Sequence, residues 1–319
     1  MTAGFFSPLP PAPTGVADYA AALLAELRRH GLGQLNESQY VDEFAYNYGE
    51  WNRGLGRDLW RARAGSAADE RYFRYPMLKR AAERARAVVV HNPAAAAAVK
   101  EHAGDARVVE IPHLFAPPQL PDEAAVLRYR TSLGVAPATF LFGVFGYLRE
   151  SKRVAAVLEA FAAVHSEVPR AGLLIAGQFV STDLERAVAP MLGAPGVLRL
   201  PYLAEREFWL AARAVDACIN LRYPPAGESS GIAVRTMGIG KPVLLTEGLE
   251  SSPFPQDACV RIAAGLAERD SLRHHMVLLL SIAEVAKTIG QRGAAHIAAH
   301  HRVEQIGKRF WDLLCESCV

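Results

Sequence analysis

The 319-residue sequence has little cysteine and almost no excess of either charge. Its four cysteines are too few and too irregularly spaced for a disulfide framework. Cys315 and Cys318 form a C-x-x-C with no second pair, so this motif does not indicate zinc. The formal net charge is +2, from 35 basic and 33 acidic residues, with no run of one sign. These absences argue against a disulfide-rich scaffold and against a nucleic-acid partner.

Long apolar segments and several common catalytic signatures are also missing. No apolar run reaches the roughly 18 residues that a membrane span requires. The first 15 residues lack the basic region and apolar core of a signal peptide. We therefore expect a cytoplasmic location, with peripheral association at the inner membrane face as a further expectation. A Gly-x-Ser-x-Gly elbow, a Walker loop and a Gly-x-Gly-x-x-Gly fingerprint are all absent.

What the sequence does contain is the pattern of an α/β protein. From residue 139 onward, continuous apolar strands alternate with helices, which predicts a parallel sheet covered on both faces. Before that, strands are predicted near Phe5, Val90 and Val109, whereas residues 36–86 are predicted to be mostly helical. A proline-rich linker at 114–123 separates the two units. We predict an N-terminal domain over 1–113, a second domain over 114–301, and a final helix over about 302–319.

The segment GESSG, residues 227–231, precedes a predicted helix at the carboxyl end of a strand, where ligands of such sheets bind. Backbone amides at Ser230, Gly231 and Ile232 would be free at the helix start and would favour an anion. Helix capping by Ser229 or Ser230 explains part of the pattern equally well. From the residues alone, both interpretations stay open.

A second loop, FGYLRESKR at 145–153, is rich in basic residues at the start of another helix. Arg149, Lys152 and Arg153 oppose the helix dipole there, which is unfavourable unless they bind an anion such as a diphosphate. Ordinary solvated charge is the alternative. Gly15, in the first strand-to-helix loop, is predicted to face the same cleft.

The histidines give no metal signature. His296 and His300 lie four residues apart on a helix, without an acidic partner at zinc spacing, and with His301 they are predicted to form a solvated face. His91 and His113 follow strands and could line the cleft. Each is predicted to be a structural residue with its hydrogen bonds satisfied.

Taken in order, several segments resemble the group 1 (family 4) retaining glycosyltransferases, which have the GT-B fold. The resemblance runs from about residue 4 to 262. The segments are FFSPLPPAPTGVADY, VVVHNPAAAAAVKEH, FGYLRESKRVAAVLEAF, LLIAGQ and NLRYPPAGESSGIAVRTMGIGKPVL. It implies two Rossmann-like domains with a C-terminal helix crossing back to the first. It also implies transfer of a sugar, with retention, from a nucleotide-diphosphate sugar to a hydroxyl of a glycan or lipid-linked acceptor.

The resemblance also implies roles for individual residues. Lys152 matches the lysine on the donor phosphates, and Glu228 matches the first glutamate of the E-x7-E motif, which contacts the sugar. Thr236 stands where the second glutamate, usually on the ribose, would be, and Tyr147 replaces the common phosphate arginine. No metal or other cofactor is expected. The further donor-binding residues are Gly15, Arg149, Arg153, Ser229, Ser230, Gly231 and Ile232.

The main departure from the family is length. Between His30 and Val88 the family normally has several more strands, one with an active-site histidine, so roughly 60 residues are missing by domain norms. We therefore expect donor binding to be retained and transfer to be slow, unless a partner chain or a second copy completes the cleft. One alternative is a truncated, non-catalytic module that binds a nucleotide sugar or a partner. Another is an epimerase on the same fold, although no acid/base residues are evident in the first domain.

Overall fold

The computed structural model describes residues 2–6, 15–32, 34–38, 82–225 and 227–316. Its strands form one sheet of six strands and two ladders of two strands, all parallel. We call residues 2–113 the first region and residues 114–301 the second region. The segment predicted to be shortened lies mostly outside the described residues, so the shortening stays a prediction.

The first region contains two separate ladders. β1 (Thr2–Phe6) pairs with β2 (Gln34–Ser38), and α1 (Gly15–Arg29) lies between them in sequence. β3 (Val88–Val90) pairs with β4 (Val108–Glu110) and is connected to it through α2 (Pro93–His102). Asn92 caps α2 and Pro93 is its first residue, which confirms the predicted helix start.

β2 was not predicted, because helix was expected from residue 36. Its sequence, QLNES, has a single apolar residue, so no hydrophobic alternation marks it as a strand. It becomes a strand through backbone pairing with β1, and that partner lies far away in the sequence.

The second region begins with α3 (Glu123–Ser132) and builds the six-stranded sheet in the order β10-β9-β8-β5-β6-β7. The strand order reverses between β5 and β8, and ligands of open α/β sheets bind at such a switch point. The predicted parallel sheet is confirmed. Its strands are β5 (Phe140–Phe145), β6 (Ala171–Ala176), β7 (Val197–Leu200), β8 (Ala217–Asn220), β9 (Val243–Thr246) and β10 (Val260–Ile262).

Helices cover both faces of this sheet. Against one face pack α4 (Val154–Glu167), α5 (Thr182–Leu192) and α8 (Glu268–Ser281), through a core that includes Phe161, Leu184 and Leu279. Against the other pack α6 (Glu205–Ala214) and α7 (Gly231–Gly238), through Trp209 and Met237. Buried apolar strands between two helical layers explain why the strand signal was so clear in the sequence.

The chain ends with α9 (Ala283–His300) and α10 (Val303–Glu316). α10 returns to the first region, where Ile306 and the partly buried Phe310 and Trp311 pack with Leu23 and Leu27 of α1. Gly307 permits the close approach, because a Cβ there would lie 2.1 Å from Cγ of Glu26. The expected return of the final helix is thus present. None of the helices that the structure describes is both long and apolar enough to cross a membrane.

Candidate functional site

The loops after β5 and β8 lie side by side at the switch point, and the loop after β5 carries Lys152. This residue ends a short 3-10 helix, Glu150–Lys152, and its Nζ donates a hydrogen bond of 2.6 Å to the carbonyl oxygen of Phe145. Gly146 leaves room for the ammonium group, since a Cβ at this position would lie 3.0 Å from Nζ. The chain therefore folds Lys152 back over the end of its own strand.

Lys152 sits among other cations. Burial, and after it the positive charges of Arg222 and Arg149, lower the pKa of its ammonium group to about 7. Three basic side chains thus converge at the end of β5, at a cost in electrostatic repulsion. An anion bound among them would relieve that repulsion and raise the pKa of Lys152 again.

Arg153, predicted to bind the donor, has a different partner. Its Nε donates a 2.8 Å hydrogen bond to Oε1 of Glu268, a buried carboxylate on α8. Removing Arg153 would leave that carboxylate buried without its counter-charge, so the side chain is held in a structural ion pair. The cation that approaches Lys152 instead is Arg222, which the sequence reading missed. Its signal was a basic residue two positions after the end of the buried strand β8.

The GESSG segment forms the start of α7, with Ser230 as the N-cap. Ser230 Oγ accepts a 3.2 Å hydrogen bond from the amide of Ala233, which confirms the capping interpretation. Arg222 donates from Nη2 to the same oxygen at 3.4 Å, and its Nη1 forms an ion pair with the half-exposed Glu228. Capping uses the serine side chain and leaves the first-turn amides directed outward, so it is compatible with an anion site.

Thr236 does not offer its hydroxyl to the cleft. The side chain is fully buried, and its Oγ1 donates to the carbonyl oxygen of Ile232 at 2.8 Å, one turn back along α7. It also hydrogen-bonds Cys218 of β8. The helix turns this position into the core, so the geometry gives no support to the prediction that Thr236 binds the donor.

A cavity of about 90 Å³ opens beside Glu228, at the ends of β8 and β9. Asn220, which is 5% exposed, lines it, and its Oδ1 has no hydrogen-bond partner among the described residues. Most other polar residues on the wall carry side-chain oxygen atoms, and Arg222 adds a guanidinium, so the cavity suits a ligand with hydroxyls that both donate and accept. These further wall residues are Glu228, Ser230, Thr246, Glu247, Glu250 and Ser251.

The first region faces this site through two histidines. His91 and His113 each direct Nδ1 at a carbonyl oxygen, of Ile111 at 2.7 Å and of Leu114 at 2.8 Å. A carbonyl only accepts, so Nδ1 is the protonated nitrogen in both rings. Burial, then the charge of His91, lowers the pKa of His113 to about 3. Burial also lowers the pKa of His91, and both rings are hydrogen-bonded to the backbone, as predicted.

These histidines also lie beside the cleft. A Cβ on Gly231 would be 3.3 Å from Nε2 of His113, so the glycine at the start of α7 lets the first region approach. Gly15 is the first residue of α1, and Asp18 lies in the first turn of that helix. Burial raises the pKa of Asp18, and the positive charge of Arg235 on α7 acts in the opposite direction, which places the two side chains near each other. The start of α1 therefore lies toward α7.

The prediction that His296, His300 and His301 form a solvated face is partly wrong. His300 is exposed, but His301 is 5% exposed and its Nδ1 donates to the carbonyl oxygen of His113 at 2.6 Å. The turn after α9 buries His301 because the chain pairs there with the linker, Phe115 with Arg302. Among the residues that the structure describes, no group of three or more His, Cys, Asp or Glu is arranged to hold a metal ion.

Comparisons with known proteins agree on the fold. No family model and no curated protein match the chain in sequence. The structure of HepE from Anabaena in complex with UDP-glucose matches with a TM-score of 0.75 and 15% identity, over 99% of this chain and 100% of that one. WaaG, a glycosyltransferase involved in lipopolysaccharide biosynthesis, matches with a TM-score of 0.73 and 14% identity, over 98% and 99%.

A third match is the sucrose-phosphate synthase of Thermosynechococcus elongatus, with a TM-score of 0.63 and 18% identity over 93% of this chain and 71% of that one. The HepE and WaaG matches extend over nearly the whole of both chains, so the likeness includes the first region as well as the second. The chain has the GT-B fold of glycosyltransferases.

Proposed function

We propose that this protein is a glycosyltransferase that uses a nucleotide-diphosphate sugar as its donor. The observation that carries the proposal is the convergence of Lys152, Arg149 and Arg222 beside the N-terminus of α7. A diphosphate matches such a site, because its negative charges interact favourably with clustered basic side chains and with a helix N-terminus. The GT-B fold, shared with HepE in its UDP-glucose complex, supports the same reading.

In this proposal the cations act on the leaving group. Cleavage of the bond between sugar and diphosphate leaves negative charge on the diphosphate, and groups already in place stabilise that charge without reorganisation. The ammonium of Lys152 and the amides of Gly231 and Ile232 would bind the phosphate oxygens. Ser229 and Ser230 shape this loop, and Arg149 adds positive charge. The protein's own cations would thus compensate the charge that a metal ion compensates in other enzymes.

Glu228 would lie next to the transferred sugar. Its carboxylate is half exposed and borders this cavity, whose lining includes several residues with side-chain oxygen atoms. Hydroxyls of the sugar would enter this cavity, with Asn220 Oδ1 as one acceptor. Transfer with retention to a hydroxyl of a glycan or lipid-linked acceptor is the reaction that the family resemblance implies. A cytoplasmic enzyme acting at the inner membrane face would meet such acceptors.

The test is nucleotide-sugar binding by the wild type and the Lys152→Ala variant, measured by calorimetry with UDP-, GDP-, ADP- and dTDP-sugars. A charge-assisted phosphate contact contributes about 1.5 to 3 kcal/mol, so the variant should bind at least about tenfold more weakly. Lys287→Ala, which removes an exposed lysine of α9, is the matched control and should bind like the wild type. Equal affinity of wild type and Lys152→Ala would remove this loop from the donor site.

A second experiment measures the release of free nucleoside diphosphate from the donor, with and without added acceptors. It distinguishes a glycosyltransferase from a non-catalytic module that only binds the nucleotide sugar. A transferase should release it faster when a suitable acceptor hydroxyl is present. Tight binding with no release for any acceptor would favour the non-catalytic module.

A further inference from the structure

Asn92 of the first region connects directly to the loop that carries Glu228. It is 1% exposed. Its Oδ1 accepts a 2.9 Å hydrogen bond from the amide of Ala95, which caps α2. Its Nδ2 donates to the carbonyl oxygen of Gly227 at 2.8 Å and to Oγ of Ser229 at 3.0 Å. The two residues that flank Glu228 are therefore both bound by one amide from the other part of the chain.

The loop is shaped to receive this contact. Gly227 has a φ of +74°, a left-handed conformation that favours glycine, and a Cβ there would lie 3.7 Å from Cα of Ala95. Ser229 Oγ also lies 3.4 Å from the carbonyl oxygen of His91. The backbone on each side of Glu228 thus rests on the start of α2.

Capping alone does not explain an asparagine at this position. An N-cap needs only an acceptor, which Ser, Thr or Asp would supply equally well. A hydroxyl has a single hydrogen to donate, whereas the amide of Asn92 gives an acceptor to α2 and donates to two acceptors of the opposite loop, the carbonyl oxygen of Gly227 and Oγ of Ser229. The donor half of Asn92 is used entirely on the second region.

We propose that Asn92 is a positioning residue that holds Glu228 at the sugar end of the donor site. Its meaning for catalysis rests on the proposed function. The GESSG loop is ordered from the first region, so the sugar-binding part of the site is complete only while the two regions are docked. The phosphate-binding part, centred on Lys152, belongs to the second region and does not depend on this contact.

Asn92→Asp separates the two roles of the side chain. The carboxylate still caps α2, but it faces the carbonyl oxygen of Gly227 with an acceptor in place of a donor. We expect faster amide hydrogen exchange at residues 227–229, the part of the loop that Asn92 holds, without any ligand. In calorimetry we expect UDP-glucose to bind about tenfold more weakly, as for one lost contact of 1.4 kcal/mol, and the affinity for UDP to change less than about twofold.

The matched control is Asp122→Asn, the reverse exchange at the N-cap of α3, where the side chain caps Ala125 at 2.6 Å. It should leave exchange at 227–229 and both affinities unchanged. Ser229→Ala removes one of the two acceptors and should give a smaller change in the same direction. If Asn92→Asp does not fold, Asn92→Ser keeps the cap, lacks the amide donor and takes its place.

Unchanged exchange at 227–229 in the Asn92 variant would overturn the proposal, and so would equal losses of UDP and UDP-glucose affinity. Failure of the proposed function would look different. In that case the wild type would bind neither ligand, and the exchange measurement alone would decide whether Asn92 holds the loop.

Discussion

The two regions of this molecule are stabilised in different ways. The second region builds one six-stranded sheet with a helical layer and an apolar core on each face. The described part of the first region has two ladders of two strands, with smaller apolar clusters beside them. Two paired strands are marginal by themselves in water, so these ladders need packing partners.

Those partners come from elsewhere in the chain. Ile306 of α10 joins the cluster formed with α1 and the end of β4, and the linker pairs with the turn after α9. Asn92 adds hydrogen bonds to the GESSG loop. The second region, which has its own core, holds the cationic site. The first region depends on its contacts with α10, the linker and the GESSG loop.

The largest expected effects come from breaking the core of each region separately. Phe161→Ala, in the second region, should lower the free energy of unfolding by about 3 to 5 kcal/mol, and Ile306→Ala by about 2 to 5 kcal/mol. Hydrogen exchange during denaturation should show Ile306→Ala exposing α1 and β4 before the six-stranded sheet opens. Simultaneous opening of all strands in Ile306→Ala would mean that the two regions unfold as one unit.

A smaller effect, confined to one ligand, is expected for Glu228→Gln. Because Glu228 lies beside the amide site rather than within it, we expect nucleoside-diphosphate affinity to stay nearly intact while affinity for the sugar-linked nucleotide falls about tenfold. Calorimetry with UDP and UDP-glucose makes the comparison, and Glu284→Gln on the exposed face of α9 is the control. Equal losses for both ligands would leave Glu228 as a partner of Arg222 only.

The smallest effect is a protonation change at Lys152. With a pKa of about 7 in the folded protein against 10.5 unfolded, the folded state binds fewer protons between those values, so this group makes stability rise with pH across that window. A bound diphosphate raises the pKa again. At pH 8, binding should therefore take up close to one proton, seen by calorimetry in buffers of different ionisation enthalpy, and Lys152→Met should take up none. No uptake by the wild type would mean that the anion does not contact this ammonium.

Much of the fold could be predicted because local sequence patterns indicate most of its strands and helix starts. The strands of the second region are apolar runs between helix signals, and the starts of α2 and α7 carry capping residues. β2 was not predicted because four of its five residues are polar and its partner strand β1 lies far away in the sequence. His301 escaped because burial at a helix end depends on what packs against the turn.

Some residues of the candidate site could likewise be identified from local sequence patterns, whereas the side-chain directions of others could not. Lys152, Glu228 and Ser230 were identified from loops that follow strands, and the structure places them around one switch point. Arg153 and Thr236 were chosen by the same logic, yet their side chains turn toward Glu268 and the core. The direction of a side chain at a helix start depends on neighbours that are distant in sequence.

The sequence alone was enough for most helices and strands of the second region, though not for α3, α5 and β10, and for the loops that could bind an anion, since periodicity and capping act over a few residues. The tertiary structure decided which of those residues meet. Arg222 approaches Lys152 because β8 lies next to β5 in the sheet. Asn92 reaches Gly227 because α7 and α2 face each other across the two regions. Such meetings follow from strand order and domain packing, which no local pattern encodes.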